Sequence, residues 1–113
     1  MAYNIELANR VRDLLNSYPD LGIEEKKMFR GLTFMVNGKM CVSVSHDNLM
    51  CRFDPSLQNE VEEKIGFQKM IMKGRVYKGY CYVNESGYNT QKDFEYWLQL
   101  CLDFNHQEKL TKK

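Results

Sequence analysis

Asn37-Gly38 stands between two apolar runs, Leu32–Val36 and Met40–Val44. Asn-Gly accepts two consecutive positive φ angles at low cost, which a two-residue type I′ hairpin turn demands. The turn sets a register with Val36 opposite Lys39, Met35 opposite Met40, Phe34 opposite Cys41 and Thr33 opposite Val42. Ser45 to Asn48 reads as a four-residue loop, after which Val44 faces Leu49, Val42 faces Cys51 and Met40 faces Phe53. These last six side chains share one sheet face, as a core requires. Leu32, Phe34 and Val36 then fall on the other face, with Cys41 and Ser43. A half-solvated antiparallel sheet carries polar residues there. The three apolar residues therefore mark an interaction face, to be covered by another element of the fold, a partner subunit or a ligand.

The remaining chain supplies helices and two further strands. Residues 3–18 place Ile5, Ala8, Val11, Leu15 and Tyr18 on one helical face, and Pro19 ends the helix in a Pro-Asp-Leu-Gly turn. Asp54 as N-cap, Pro55 in the first turn and Gly66 at the stop predict a short second helix, whose Glu60, Glu62 and Glu63 form a solvated acidic run. Two strands follow near Phe67–Met72 and Tyr77–Val83, with Gly74 or Gly79 as bends. Thr90 caps a last helix in which Phe94, Trp97, Leu98, Cys101 and Leu102 make the apolar stripe, and Trp97 is the expected anchor against the sheet. A polar tail from His106 is expected to fray. The expected fold is α+β in two layers, an antiparallel five-stranded sheet with helices packed on it, in the order α-β-β-β-α-β-β-α. It is a single domain over residues 1–113, with an ordered core at about 3–106.

Charge bounds the function. The 16 Lys and Arg nearly balance the 15 Asp and Glu. That argues against a generally basic nucleic-acid or membrane-surface protein but leaves room for a local patch. No apolar run approaches the roughly 20 residues of a membrane span, and the N-terminus lacks the apolar stretch of a signal peptide. A cytoplasmic chain with reduced thiols is expected. Cys41, Cys51, Cys81 and Cys101 are spaced without any close pair and sit in apolar segments, so they read as small core residues rather than metal ligands. His46 and His106 have no second ligand nearby in sequence, and His46-Asp47 reads as the tip of a loop. Cys51 beside Arg52 comes nearest to an activated nucleophile, yet neighbours in a strand point to opposite faces. With no phosphate-binding, metalloprotease or nucleophile-elbow motif, the expectation is a non-enzymatic protein with no catalytic residue, metal or cofactor.

Two sets of polar residues suit binding. Arg52 lies on the less explained sheet face and could anchor an anion or a partner carboxylate. Lys73, Arg75 and Lys78 are interleaved with Tyr77, Tyr80 and Tyr82, whose rings could stack on bases or serve as ordinary strand residues.

Several of these segments recur together in a known family. Met28-Phe29-x-Gly31-Leu32, Asn37-Gly38-Lys39-Met40, Leu49-Met50-x-Arg52 and Lys78-Gly79-Tyr80, followed by the Trp-bearing helix, resemble the N-terminal domain of the TfoX/Sxy family over roughly Ala8 to Asn105. Two positions depart from it: Arg30 stands where the family often has glycine, and Val76-Tyr77 where it often has Pro-Met. The resemblance implies helices packed on an antiparallel sheet. It also implies an association with transcriptional regulation, since full-length members govern competence genes and DNA transformation together with a cyclic-AMP receptor protein and carry a second, C-terminal domain. This chain reads as a stand-alone copy of the first. The expected role is a regulatory or protein-interaction domain, with a protein partner or a second copy on Leu32, Phe34 and Val36. Direct nucleic-acid binding through the basic segment is the alternative, and no membrane is involved.

Overall fold

The computed structural model describes residues 3–18, 21–28 and 31–111, the side chains of Met72 and of residues 107–111 excepted. Helix α1 (Ile5–Asn16) begins at Asn4, whose side chain accepts the Leu7 N–H at 3.0 Å. It buries Leu7, Ala8, Val11 and Leu15, while Ile5 and Tyr18 stay exposed, so the stripe is narrower than residues 3–18 suggested. The expected stop at Pro19 and the Arg30 departure lie outside the described residues, as do the last two lysines of the tail.

The sheet has six strands rather than five: β1 (Ile23–Met28), β2 (Gly31–Val36), β3 (Lys39–Ser45), β4 (Asn48–Arg52), β5 (Phe67–Met72) and β6 (Arg75–Val83). All pairings are antiparallel, in the order β1-β2-β3-β4-β6-β5. The added strand, β1, reads Ile-Glu-Glu-Lys-Lys-Met and has exposed charges on both faces. It is an edge strand, and charge on an edge blunts pairing with other chains. Between β4 and β5 run a 3-10 turn (Pro55–Leu57), with Asp54 accepting the Ser56 N–H, and the single-turn helix α2 (Gln58–Val61), which together replace the longer helix expected there. Gly66 follows at φ +88. A second addition is the four-residue helix α3 (Glu85–Tyr88), just before α4 (Gln91–Thr111). Thr90 caps α4 as expected, its hydroxyl accepting the Asp93 N–H at 3.1 Å.

The Asn37-Gly38 turn forms with φ of +53 and +84, and Val36 pairs with Lys39 and Met35 with Met40. Beyond that the expected register fails. Phe34 pairs with Val42 instead of Cys41, and Thr33 with Ser43 instead of Val42, because β3 carries one extra residue, Cys41, at a β-bulge. A shift of one residue moves side chains to the opposite face. Leu32 and Phe34 thereby join Val42, Val44, Leu49, Cys51, Cys81 and Val83, their successive partners across the sheet. Met40 no longer aligns with this set. The second hairpin keeps the expected pairs Val44–Leu49 and Val42–Cys51 but closes through a tighter turn, with Ser45 paired to Asn48 and His46 at φ +54.

This single face is the core. Helices α1 and α4 cover it, with Val11, Leu15, Phe94, Trp97, Leu98 and Cys101 all buried in one cluster with the sheet residues. Trp97 is the anchor the sequence suggested: it is 1% exposed, and its indole N–H donates to the Gly87 carbonyl at 2.9 Å. Asn105 ties the far end of α4 to the sheet by donating to the Val36 carbonyl at 3.1 Å. The opposite face is different in kind. Met28, Met35, Met40 and Met50 line it with Thr33 and Ser43, whose hydroxyls lie 3.0 Å apart.

The bulge makes a testable distinction between neighbours. Phe34→Ala should cost about 3–5 kcal/mol of unfolding free energy, the usual range for a core phenylalanine. Met35→Ala, half-buried on the other face, should cost less than about 2 kcal/mol. Urea denaturation of the two variants reads both; equal losses would contradict the observed register.

Candidate functional site

The strand lengths build a projection at one corner of the sheet. β4 ends at Arg52, paired with Tyr80, whereas β6 extends five residues further, from Gly79 back to Arg75. β5 matches it, with Ile71 opposite Val76 and Met72 opposite Arg75. Lys73 and Gly74 close the hairpin at φ +53 and +77, the two left-handed angles of a tight turn. Residues 71–78 thus form a two-stranded arm beyond the neighbouring strand, and Arg75, Val76, Tyr77 and Lys78 are all exposed.

The root of the arm is fixed. Gly79 has φ +87, and a Cβ there would lie 2.9 Å from the Phe53 carbonyl oxygen. Its N–H donates to Gln58 Oε1 at 3.0 Å in a buried bond, and its carbonyl accepts the Phe53 N–H at 2.8 Å. An irregularity in the ladder between Lys69 and Ile71 sets the arm off from the regular sheet.

Lys73, Arg75 and Lys78 all lie on this arm and are exposed. From Phe67 to Val83 there are four cations, these three and Lys69, and no Asp or Glu. The other 12 Lys and Arg are set against all 15 acids, so near-neutrality of the whole chain conceals a basic arm on a mildly acidic body. Arg52 is not part of the exposed group. It is half-buried at the arm's root, its guanidinium 5.9 Å from the centre of the Tyr80 ring and 5.1 Å from that of Phe104 in α4. Tyr80 in turn meets Tyr77 edge-on at 6.3 Å. These contacts make a chain of rings and one cation from α4 to the base of the arm.

Leu32, Phe34 and Val36 require the main correction. They are 5%, 0% and 0% exposed, enclosed by this chain's own helices. The apolar interaction face expected from the simple hairpin register does not exist; the bulge at Cys41 turned it into core.

The four cysteines are free and buried. Hydrogen bonding to the Cys101 and Cys81 thiols, with burial, pushes the Cys51 thiol well above the usual range. Burial, followed by the proximity of Cys101, does the same to Cys41, against a weaker pull from Arg52. Such thiols stay protonated and are poor nucleophiles. Among the described residues no group of three or more His, Cys, Asp or Glu is arranged to hold a metal ion. His46 and Asp47 act as a fastening. The Asn4 N–H donates to the His46 carbonyl at 2.7 Å, Asn4 Nδ2 to the Asp47 carboxylate at 3.0 Å, and the Tyr88 hydroxyl to the Asp47 carbonyl. A shallow cleft of about 340 Å³ lies over Tyr96 and Trp97, but its rim of Glu63, Lys64, Lys92 and Asp93 mixes both charge signs. No described helix is long and apolar enough to cross a membrane.

The family model described as the TfoX N-terminal domain matches residues 13–105. The chain belongs to the TfoX N-terminal domain family. Searches of curated proteins and of solved structures return no significant match. The TfoX N-terminal match takes in the whole sheet, the arm and α4 up to Asn105. Two glycines within the match have a steric reason for being glycine. A Cβ on Gly31 would stand 2.0 Å from the Val44 carbonyl oxygen, and Gly79 is confined as described above. Val76-Tyr77 falls within β6, where Val76 faces Ile71 across the arm.

The thiols carry the pH prediction for this region. A thiol whose folded pKa lies above its unfolded value of about 8.5 contributes stability in full below that value and loses it as pH rises further. The urea midpoint should therefore fall between pH 8 and pH 10. Over the same range the native thiols should react with a disulfide reagent far more slowly than those of the urea-unfolded chain; comparable rates would contradict their burial.

Proposed function

We propose that this chain is a non-enzymatic regulatory binding domain whose working surface is the β5–β6 arm, and that the arm contacts nucleic acid. The observation that carries the reading is the segregation of charge: four cations and no acid between Phe67 and Val83, on a hairpin whose tip residues 73–78 are all exposed. A two-stranded ribbon can enter either groove of duplex DNA. Lys73, Arg75 and Lys78 are then phosphate contacts, which position a protein on the duplex and steer its approach. Tyr77 presents an exposed ring beside them, and Arg52 buttresses the root through Tyr80. The resemblance to TfoX/Sxy regulators supports a role in transcriptional or competence regulation, and a cytoplasmic location follows from such a role. With Leu32, Phe34 and Val36 enclosed, the arm is the surface that favours direct nucleic-acid contact over the protein-partner reading.

The test is fluorescence anisotropy with a labelled duplex at low and near-physiological salt. The wild-type chain should bind saturably and weaken steeply with salt. The triple variant Lys73→Ala/Arg75→Ala/Lys78→Ala should lose at least about tenfold in affinity, and its salt slope should fall by about 0.9 per lost phosphate contact. Unchanged affinity in that variant, or no binding by the wild type at either salt, overturns the proposal.

A further inference from the structure

The arm carries a feature that phosphate binding leaves unexplained. Ile71 and Val76 are direct cross-strand partners, so they share one face of the hairpin. They are 61% and 44% exposed, among the few large apolar side chains left in water. They lie one residue pair below the Lys73-Gly74 turn, with Lys78 two residues along the same face of β6 and Arg75, paired with Met72, on the opposite face. Nothing in the described structure packs across the tip, since β4 stops at Arg52. An exposed apolar pair within a cluster of cations suits a polyanion that also offers apolar surface. Duplex DNA does so between its stacked bases, and proteins that insert an apolar side chain there kink the helix by about 20–90°.

We infer that the arm bends duplex DNA, with Ile71 and Val76 as a wedge between adjacent base pairs while Lys73, Arg75 and Lys78 hold the flanking phosphates. The inference rests on the nucleic-acid reading above and adds an activity to it. Pyrimidine–purine steps unstack most readily, so the wedge should favour duplexes with a central TA or CA step over an A-tract of equal length. The rigid root supplies the leverage. Gly79 is held on both sides by Phe53 and Gln58, which ties the root of the arm to the sheet.

The experiment is end-to-end energy transfer on a doubly labelled duplex of about 25 base pairs, with anisotropy read on the same samples. At saturating wild-type protein, transfer should rise as expected for a kink of at least about 20°. The variant Ile71→Thr/Val76→Thr keeps β-branched residues that support the ribbon. It should bind within about threefold of wild type yet leave transfer at the free-duplex value. Ile71→Val/Val76→Ile retains the apolar pair and should bend like wild type, which separates loss of the wedge from loss of the arm's fold. Binding with an unbent duplex overturns this inference alone and leaves the nucleic-acid reading standing. Absence of wild-type binding overturns both. In a parallel sedimentation assay with anionic phosphatidylserine vesicles, binding that depends on Ile71 and Val76 in a protein that does not bend DNA would assign the pair to a membrane surface and overturn the wedge.

Discussion

The core depends on one extra residue in β3. Without the bulge at Cys41, the hairpin turned by Asn37-Gly38 would place Leu32 and Phe34 on the opposite side from Val44 and Leu49. The helices α1 and α4 pack on one face of this sheet, so these residues would lose their packing against Val11, Trp97 and Leu98. Losing the packing of even one such side chain costs about 2–5 kcal/mol, a large part of the roughly 5–15 kcal/mol that holds a domain folded. A bulge costs one local break in the ladder and offsets that loss. It also delivers Cys41 to the helix side, beside Cys101 of α4, so the break itself is packed.

That constraint explains what could and could not be read from the sequence. Turn and cap chemistry was legible at Asn37-Gly38, Gly66 and Thr90, but not at His46 and Lys73, which take positive φ without a residue type that marks it. Much of the core was legible too, because periodicity reports which residues are apolar, but Leu32, Phe34 and Val36 were assigned to the wrong face. The register was not, since nothing in the identity of Cys41 marks an inserted residue. The contradiction was nevertheless visible: Leu32, Phe34 and Val36 on a face that should be polar was the trace of a register slip, not of an interface. β1 escaped for another reason. Glu24, Glu25, Lys26 and Lys27 erase the alternation that identifies a strand, and they do so because an edge strand has a side open to other chains. The four-residue α3 is held by tertiary contact, with a Cβ on Gly87 meeting the Ile65 carbonyl oxygen at 2.5 Å, and so has little local signal.

The candidate site divides in the same way. Composition picked out Lys73, Arg75 and Lys78, because a stretch of 17 residues with four cations and no acid stands out in a balanced chain. Their projection on a free arm depends on where β4 ends relative to β6, which is a property of the pairing and not of either strand alone. Arg52 was singled out for its chemistry, yet its place between Tyr80 and Phe104 requires α4 to pass over that end of the sheet. Proximity in sequence suggested one patch; the fold separates an exposed group at the tip from a half-buried one packed between rings at the root.

The arm is also secured lightly at its tip, where residues 73–78 are all exposed. A two-stranded ribbon is marginal in water without a third strand or a packed face. Residues 71–78 have neither, so the tip belongs to the low-stability end of the structure while its root is tied to the core. Cross-strand contact between Ile71 and Val76 is worth only about 0.2–1 kcal/mol in such a ribbon. The pair therefore shapes the free arm weakly and has about half of its surface still to bury. A surface of that kind spends part of its binding energy on ordering itself. On the proposed nucleic-acid reading, its affinity rests on the cations, which act at a distance and without a fixed geometry, and the apolar pair matters once contact has been made. A rigid root, a loosely held tip and segregated charge are mutually consistent on this account: long-range attraction brings the arm to a polyanion, and the short-range step is left to two side chains that the core does not need.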